Sequence, residues 1–230
     1  MFKFSYNIDY GSCISKTFAI TIMVILSRIG FPLPGLIFEV AAPGDSHLQG
    51  VAIAISSQLQ PSVVEVSPVD ERIMALRLKH AFGFVSFIAV YAPTNVCKLN
   101  VKEAFYAKLT SMVDKCPQRD IRIVLGDSNA VSGCDRASYE MSIESHGSGA
   151  GLGSENSLLV CDFAMFQRMR ISGSWYQRSN PHRWTWFSDT IIVAKEIDHI
   201  IASTRWGILQ NCRENTYGFS AENSGKQGYQ

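Results

Sequence analysis

The stretch VLGDSNA, residues 124–130, brings a carboxylate and a carboxamide to the end of an apolar run, two residues apart. If the strand persists, the spacing of Asp127 and Asn129 points both side chains the same way. A carboxylate there can orient or deprotonate a water, and an amide beside it can hold a phosphate oxygen or a metal-bound group. That is hydrolytic chemistry. Gly126 lets the backbone turn tightly as it leaves the strand and sets both residues at the sheet's edge. GDSN is also an ordinary turn composition, so the pair alone leaves a structural reading open.

Such a pair needs elements to hold it. VAIAISSQ (51–58), SVVEVS (62–67) and RIMALRLK (72–79) read as successive strands. They are rich in β-branched residues, Pro61 and Pro68-Val69-Asp70 punctuate them, and RIMALRL alternates. GFVSFIAVYAP (83–93) is a fourth strand that Pro93 ends. NVKEAFYAKLTSMVDKC (100–116) places Val101, Phe105, Leu109 and Met112 on one helical face, with Asn100 as N-cap. RDIRIVLG (119–126) returns as a strand buried on both faces at Ile123-Val124-Leu125. A Gly/Ser-rich loop follows over 134–155, then a helix from Ser157 through Met169, then two strand-like pieces, RWTWFS and EIDHIIAS. With no internal repeat and no linker, this is one mixed α/β domain rich in strands.

The global composition names no partner. The chain of 230 residues is long enough for one domain with a sizeable core, and 47% hydrophobic with 18% charged residues is a globular balance. With 21 basic and 20 acidic residues the net charge is +1, so no overall field draws nucleic acid. A DNA-directed function must rest on a local site. Arg168, Arg170, Arg178, His182 and Arg183 form one basic cluster that could meet phosphates, and it reads equally as a solvated loop. Cys13, Cys97, Cys116, Cys134, Cys161 and Cys212 lie far apart, without zinc-ligand spacing. Free thiols in a reducing compartment follow, nuclear or cytoplasmic rather than secreted. Residues 17–40 hold an apolar core only from Phe18 to Leu26, whereas crossing a bilayer takes about 20 residues. That core has the length found in a signal peptide, but its polar leader is long and no small-x-small site follows at once. It reads as a buried segment, and no membrane partner is expected.

Several stretches occur in a telling order: VYAPT (90–94), LGDSNA (125–130), ENSLLVCDFA (155–164), SGSWYQ (172–177), HRWTWFS (182–188) and EIDHII (196–201). The ordered set resembles the endonuclease/exonuclease/phosphatase superfamily, which includes apurinic endonucleases, pancreatic deoxyribonuclease and the endonuclease domains of LINE retrotransposons. The resemblance covers residues 47–222, leaving a divergent segment at 1–46 and a tail at 223–230. It implies an α/β (α+β) fold of two β-sheets packed as a sandwich and flanked by helices in four layers, incomplete at both ends. It implies a monomeric Mg²⁺-dependent phosphodiesterase acting on DNA, with no small-molecule cofactor. By the same resemblance Tyr91 lies against the scissile phosphate and Asp127 activates the attacking water. Asn129 contacts the phosphate or, with Asp127, the metal shell. Asp198 fixes a catalytic histidine.

The departures fall at both ends. Ser128 stands where the family has phenylalanine beside the site. The family opens with a strand ending in asparagine and a further strand delivering the metal-binding glutamate, and residues 1–46 match neither. Glu39 lies too close to Gly50 and lacks the family context, so it is not assigned as a ligand. The family closes on an aspartate-histidine pair, whereas Ser220 is followed by Ala221-Glu222. His199 sits beside Asp198, but on a strand its side chain faces the other way. These losses imply a catalytically impaired relic, with a non-catalytic binding module or an unselected product as the alternative.

Overall fold

Period-two alternation makes the first strand: Phe2, Phe4, Tyr6 and Ile8 interleave with Lys3, Ser5 and Asn7. The computed structural model describes residues 2–8, 18–24, 36–41, 50–55, 57–81, 83–133, 136–149, 154–178, 183–188, 193–204 and 212–216. Its strands begin with β1 (Phe2–Ile8), β2 (Phe18–Val24), β3 (Leu36–Ala41) and β4 (Gly50–Ile55). Then come β5 (Val63–Asp70), β6 (Ile73–His80), β7 (Gly83–Tyr91), helix α1 (Leu99–Lys115) and β8 (Ile121–Asp127). Helix α2 (Glu155–Phe166), β9 (Met169–Ile171), β10 (Trp186–Phe187), β11 (Ala194–Lys195), β12 (Asp198–Ser203) and β13 (Cys212–Thr216) complete the order.

Two sheets stack, and neither closes on itself. One runs β13-β1-β2-β4-β3 and the other β5-β6-β7-β8-β12-β9, while β10 and β11 form a short ribbon. The five-stranded sheet takes only β4 from the span that resembles the family up to residue 206, and its other strands come from residues 2–41 and 212–216. The apolar segment at 18–24 is a central strand of this sheet, between β1 and β4. No helix among the described residues is long and apolar enough to cross a membrane.

Val51, Ile53 and Ile55 of β4 meet Leu76, Phe87 and Leu125 between the sheets. Each such side chain contributes about 1.5–3 kcal/mol when fully buried. On the far face of the six-stranded sheet, both helices pack over Ile88, Val124 and Ile201. The two helices share one layer over that sheet. Ile123, Val124 and Leu125 are each 0% exposed, as their sequence required. Because β7 and β8 run parallel, a crossover must join them, and α1 is that crossover.

The helices differ in detail from the sequence reading. Helix α1 starts after Lys98, which makes no side-chain cap bond, rather than after Asn100. Its buried stripe is Lys102, Phe105, Tyr106, Leu109 and Val113, with Val101 exposed. A lysine on the inner face shifts an apolar count by one residue. Helix α2 starts earlier, because the Ser154 hydroxyl accepts the Ser157 N–H at 3.2 Å as an N-cap. It ends at Phe166, since Arg168 takes φ +53° and turns the chain into β9.

Lys102 links the helices: its Nζ donates to Glu155 at 2.8 Å and to the Asn95 carbonyl at 3.1 Å. The ammonium is 2% exposed and its partner 58%. Removing the partner strands a buried charge, whereas removing the charge does not. Glu155→Ala is expected to cost about 2 kcal/mol and Lys102→Met less than about 1 kcal/mol in urea unfolding.

Candidate active site

Three strand ends meet on one line. The parallel pairing of β7 with β8 sets Tyr91 opposite Asp127, and the antiparallel pairing of β8 with β12 sets Asp127 opposite Asp198. Tyr91 packs at the margin of the core between the sheets, and Asp198 is 1% exposed. The structure therefore brings together all four residues singled out by the sequence, with Asn129 two positions beyond Asp127.

Gly126 makes the line possible. It has φ +136°, and a Cβ there would lie 2.2 Å from the Val90 carbonyl oxygen. Only glycine lets β8 press so close to β7 just before Asp127. Beyond it the Ala92 N–H donates to the Asp127 carbonyl at 2.8 Å, and the Ser128 N–H donates to Ile197 at 2.9 Å. Buried Ser128 thus ties the exit of β8 to the residue before Asp198 through its backbone.

Asn129 has a structural duty as well. It adopts φ +46°, a left-handed conformation that asparagine tolerates better than most residues. Its Nδ2 donates to the Ala92 carbonyl at 2.8 Å, while its N–H donates to Asp127 Oδ1 at 2.7 Å. Its Oδ1 is then the side-chain acceptor left for a ligand. The turn reading of GDSN holds for these residues.

The electrostatics set Asp127 apart. Burial pushes its carboxyl up to about 7, an effect that the Asn129 N–H partly offsets. Tyr91 is raised by burial first and then by Asp127, while Arg72 acts the other way. His199 is lowered by burial and turns to the Ala130 carbonyl, 2.8 Å from Nε2.

Two supporting residues escaped the sequence reading. Thr185 Oγ1 accepts the N–H groups of Ile197 at 3.0 Å and Asp198 at 3.2 Å, fixing the start of β12. Buried Asn156 donates to the carbonyls of Pro93 at 2.8 Å and Asn129 at 3.0 Å, joining the loops that leave β7 and β8. Both lie inside the ordered stretches, yet nothing in their spacing marks the backbone groups they meet.

Three arginines of the basic cluster are engaged within the fold, whereas Arg168 is exposed at a turn. Arg178 and Arg183 pair with buried Glu196 at 2.7 and 3.2 Å. Arg170 stacks 3.9 Å over the Trp175 ring. Glu196 offsets one of the two positive charges it pairs with. His182, Cys13, Cys134 and Ser220-Ala221-Glu222 lie outside the described residues, and Cys97, Cys116 and Cys161 are free thiols.

A cavity of about 370 Å³ opens beside Asn129, lined also by Asn95, Ser148, Trp184 and Lys195. Among the described residues no three of His, Cys, Asp and Glu gather to hold a metal. Asp127 and Asp198 nonetheless offer two carboxylates on neighbouring strands. Carboxylate oxygens are ligands of the kind a hard divalent cation takes.

The architecture has relatives among solved structures. The endonuclease domain of TRAS1, a telomere-specific non-LTR retrotransposon, superposes with a TM-score of 0.53 at 12% identity, over 80% of this chain and 73% of that one. The fold is the endonuclease/exonuclease/phosphatase fold. A protein of that family from Leptotrichia buccalis C-1013-b aligns at 10% identity with a TM-score of 0.49, over 80% and 74% of the two chains. Craniofacial development protein 2 of Tragulus javanicus is 26% identical over 157 residues, 68% of this chain and 27% of that protein. Its Bos taurus counterpart is 25% identical over 157 residues, 68% and 26% of the two. The chain spans about a quarter of the length of these curated relatives. No family model matches it.

A raised carboxyl in an endonuclease/exonuclease/phosphatase fold has a thermodynamic signature. The folded state holds the Asp127 proton between the unfolded value of 3.8 and about 7. Stability is therefore fullest below the lower value and falls as pH rises through the upper one. Asp127→Asn should flatten the decline in Tm between pH 4 and 7 and raise Tm at pH 8. Mg²⁺ added at pH 8 should raise the Tm of the wild type and not of Asp127→Asn.

Proposed function

We propose that this chain is a phosphodiesterase-type domain of retrotransposon-derived, apurinic-endonuclease-like descent whose site faces a DNA phosphate and whose catalysis is impaired. The register that lines up Tyr91, Asp127 and Asp198 across β7, β8 and β12 carries this reading. In it the Tyr91 hydroxyl donates to a phosphate oxygen as negative charge develops. Asp127 orients water and takes its proton, and an acidity near 7 suits a general base at neutral pH. Asn129 holds a phosphate oxygen beside it. Trp184 and Lys195, in the adjoining cavity, offer an aromatic face and a cation to a neighbouring nucleotide.

A divalent cation, held by Asp127 with Asn129 and Asp198, would neutralise phosphate charge in this site. The impairment has two supports in the sequence. Residues 1–46 do not match the family's opening, where a strand delivers the metal glutamate, and Glu39 lacks that context. Ala221-Glu222 follow Ser220 where the family has aspartate-histidine. Loss of one such electrostatic group typically costs about 10²–10³ in rate.

Supercoiled plasmid with Mg²⁺ provides the test. Nicking is expected to stay at background, with Asp127→Ala indistinguishable from the wild type. Robust nicking that Asp127→Ala abolishes would overturn the impairment and point to residues in 1–46 as replacement ligands.

A further inference from the structure

We infer that Arg72 is the positioning residue of Tyr91: its guanidinium lies over the phenol ring and bonds the tyrosine's own carbonyl. The contact is threefold. The Tyr91 N–H donates to the Arg72 carbonyl at 2.9 Å. Arg72 Nη1 donates to the Tyr91 carbonyl at 3.1 Å. The guanidinium carbon lies 5.2 Å from the ring centroid. A cation over an aromatic face is attracted by the ring's quadrupole, and a planar guanidinium can stack and hydrogen-bond at once.

Arg72 is itself held in place. It sits in the turn between β5 and β6, where its N–H donates to Asp70 Oδ1 at 2.9 Å. Lys108 of α1 pairs with the other Asp70 oxygen. A chain of contacts thus runs from α1 through Asp70 and Arg72 to the end of β7. Burial and Asp127 both disfavour tyrosinate, and Arg72 opposes them. The more acidic phenol is the stronger donor to a phosphate oxygen. Its catalytic meaning rests on the reading of Tyr91 as the phosphate-facing group, whereas the contact itself does not.

The experiment is a ¹³Cζ-tyrosine NMR titration of the full chain, with Tyr91 assigned by Tyr91→Phe. Arg72→Met should move the Tyr91 titration upward, Arg72→Lys should leave it near the wild type, and the other tyrosines should not move. Arg72→Gln, which keeps an N–H donor without charge, should behave as Met does and serves if Arg72→Met fails to fold. An unchanged Tyr91 titration in a folded Met or Gln variant overturns the proposal, because a merely structural arginine would lower Tm without altering phenol acidity. A short DNA duplex added to the same sample reads the site separately. If Tyr91 does not respond to it, the phosphate-facing reading fails while the titration still decides the role of Arg72.

Discussion

Strand β8 is packed on both faces, and every group at its carboxyl end takes its position from that packing. Ile123 and Leu125 belong to the core between the sheets, and Val124 to the core beneath the helices. A strand clamped this way cannot slip by one residue without exchanging its faces, which would put each side chain into the wrong core. Asp127 therefore has a fixed height in the sheet. Its neighbours Tyr91 and Asp198 are set opposite it by the strand ladder, and Arg72 and Thr185 hold their ends.

Polar groups around that end mostly hold backbone rather than face a ligand. Thr185, Asn156 and the amide nitrogen of Asn129 all bond main-chain groups of a neighbouring loop. Glu196, two residues before Asp198, is locked by Arg178 and Arg183. Each of these pairings removes a buried polar group's desolvation cost, about 1–3 kcal/mol per group. The groups left to meet a substrate are few, and they sit at the ends of strands where the backbone has stopped pairing.

Much of this was legible in the residues. β8 announced itself by three consecutive apolar residues, and the three aligned positions lay in recognisable stretches at strand ends. What escaped was whatever depends on a partner distant in sequence. Asn156 meets Pro93, and Thr185 meets Asp198, through main-chain atoms that leave no trace in residue type. The basic cluster misled because a count of arginines does not show a buried glutamate between them. β1 alternates plainly, yet nothing local says that its partner is β13.

That last pairing sets the order of folding. Phe4 lies opposite Thr216, and β1 is flanked by β2 on its other side. In a chain emerging from synthesis, β1 and β2 can zip together early, while the remaining edge of β1 stays bare until β13 arrives. Closing so long a loop is entropically costly and slow, since sequence separation of contacts governs folding rate. An unpaired, alternating strand is meanwhile a template for pairing with other chains. The sheet that completes the sandwich is thus the last part to become safe, and the six-stranded sheet with its two helices has to persist without the finished cover until then.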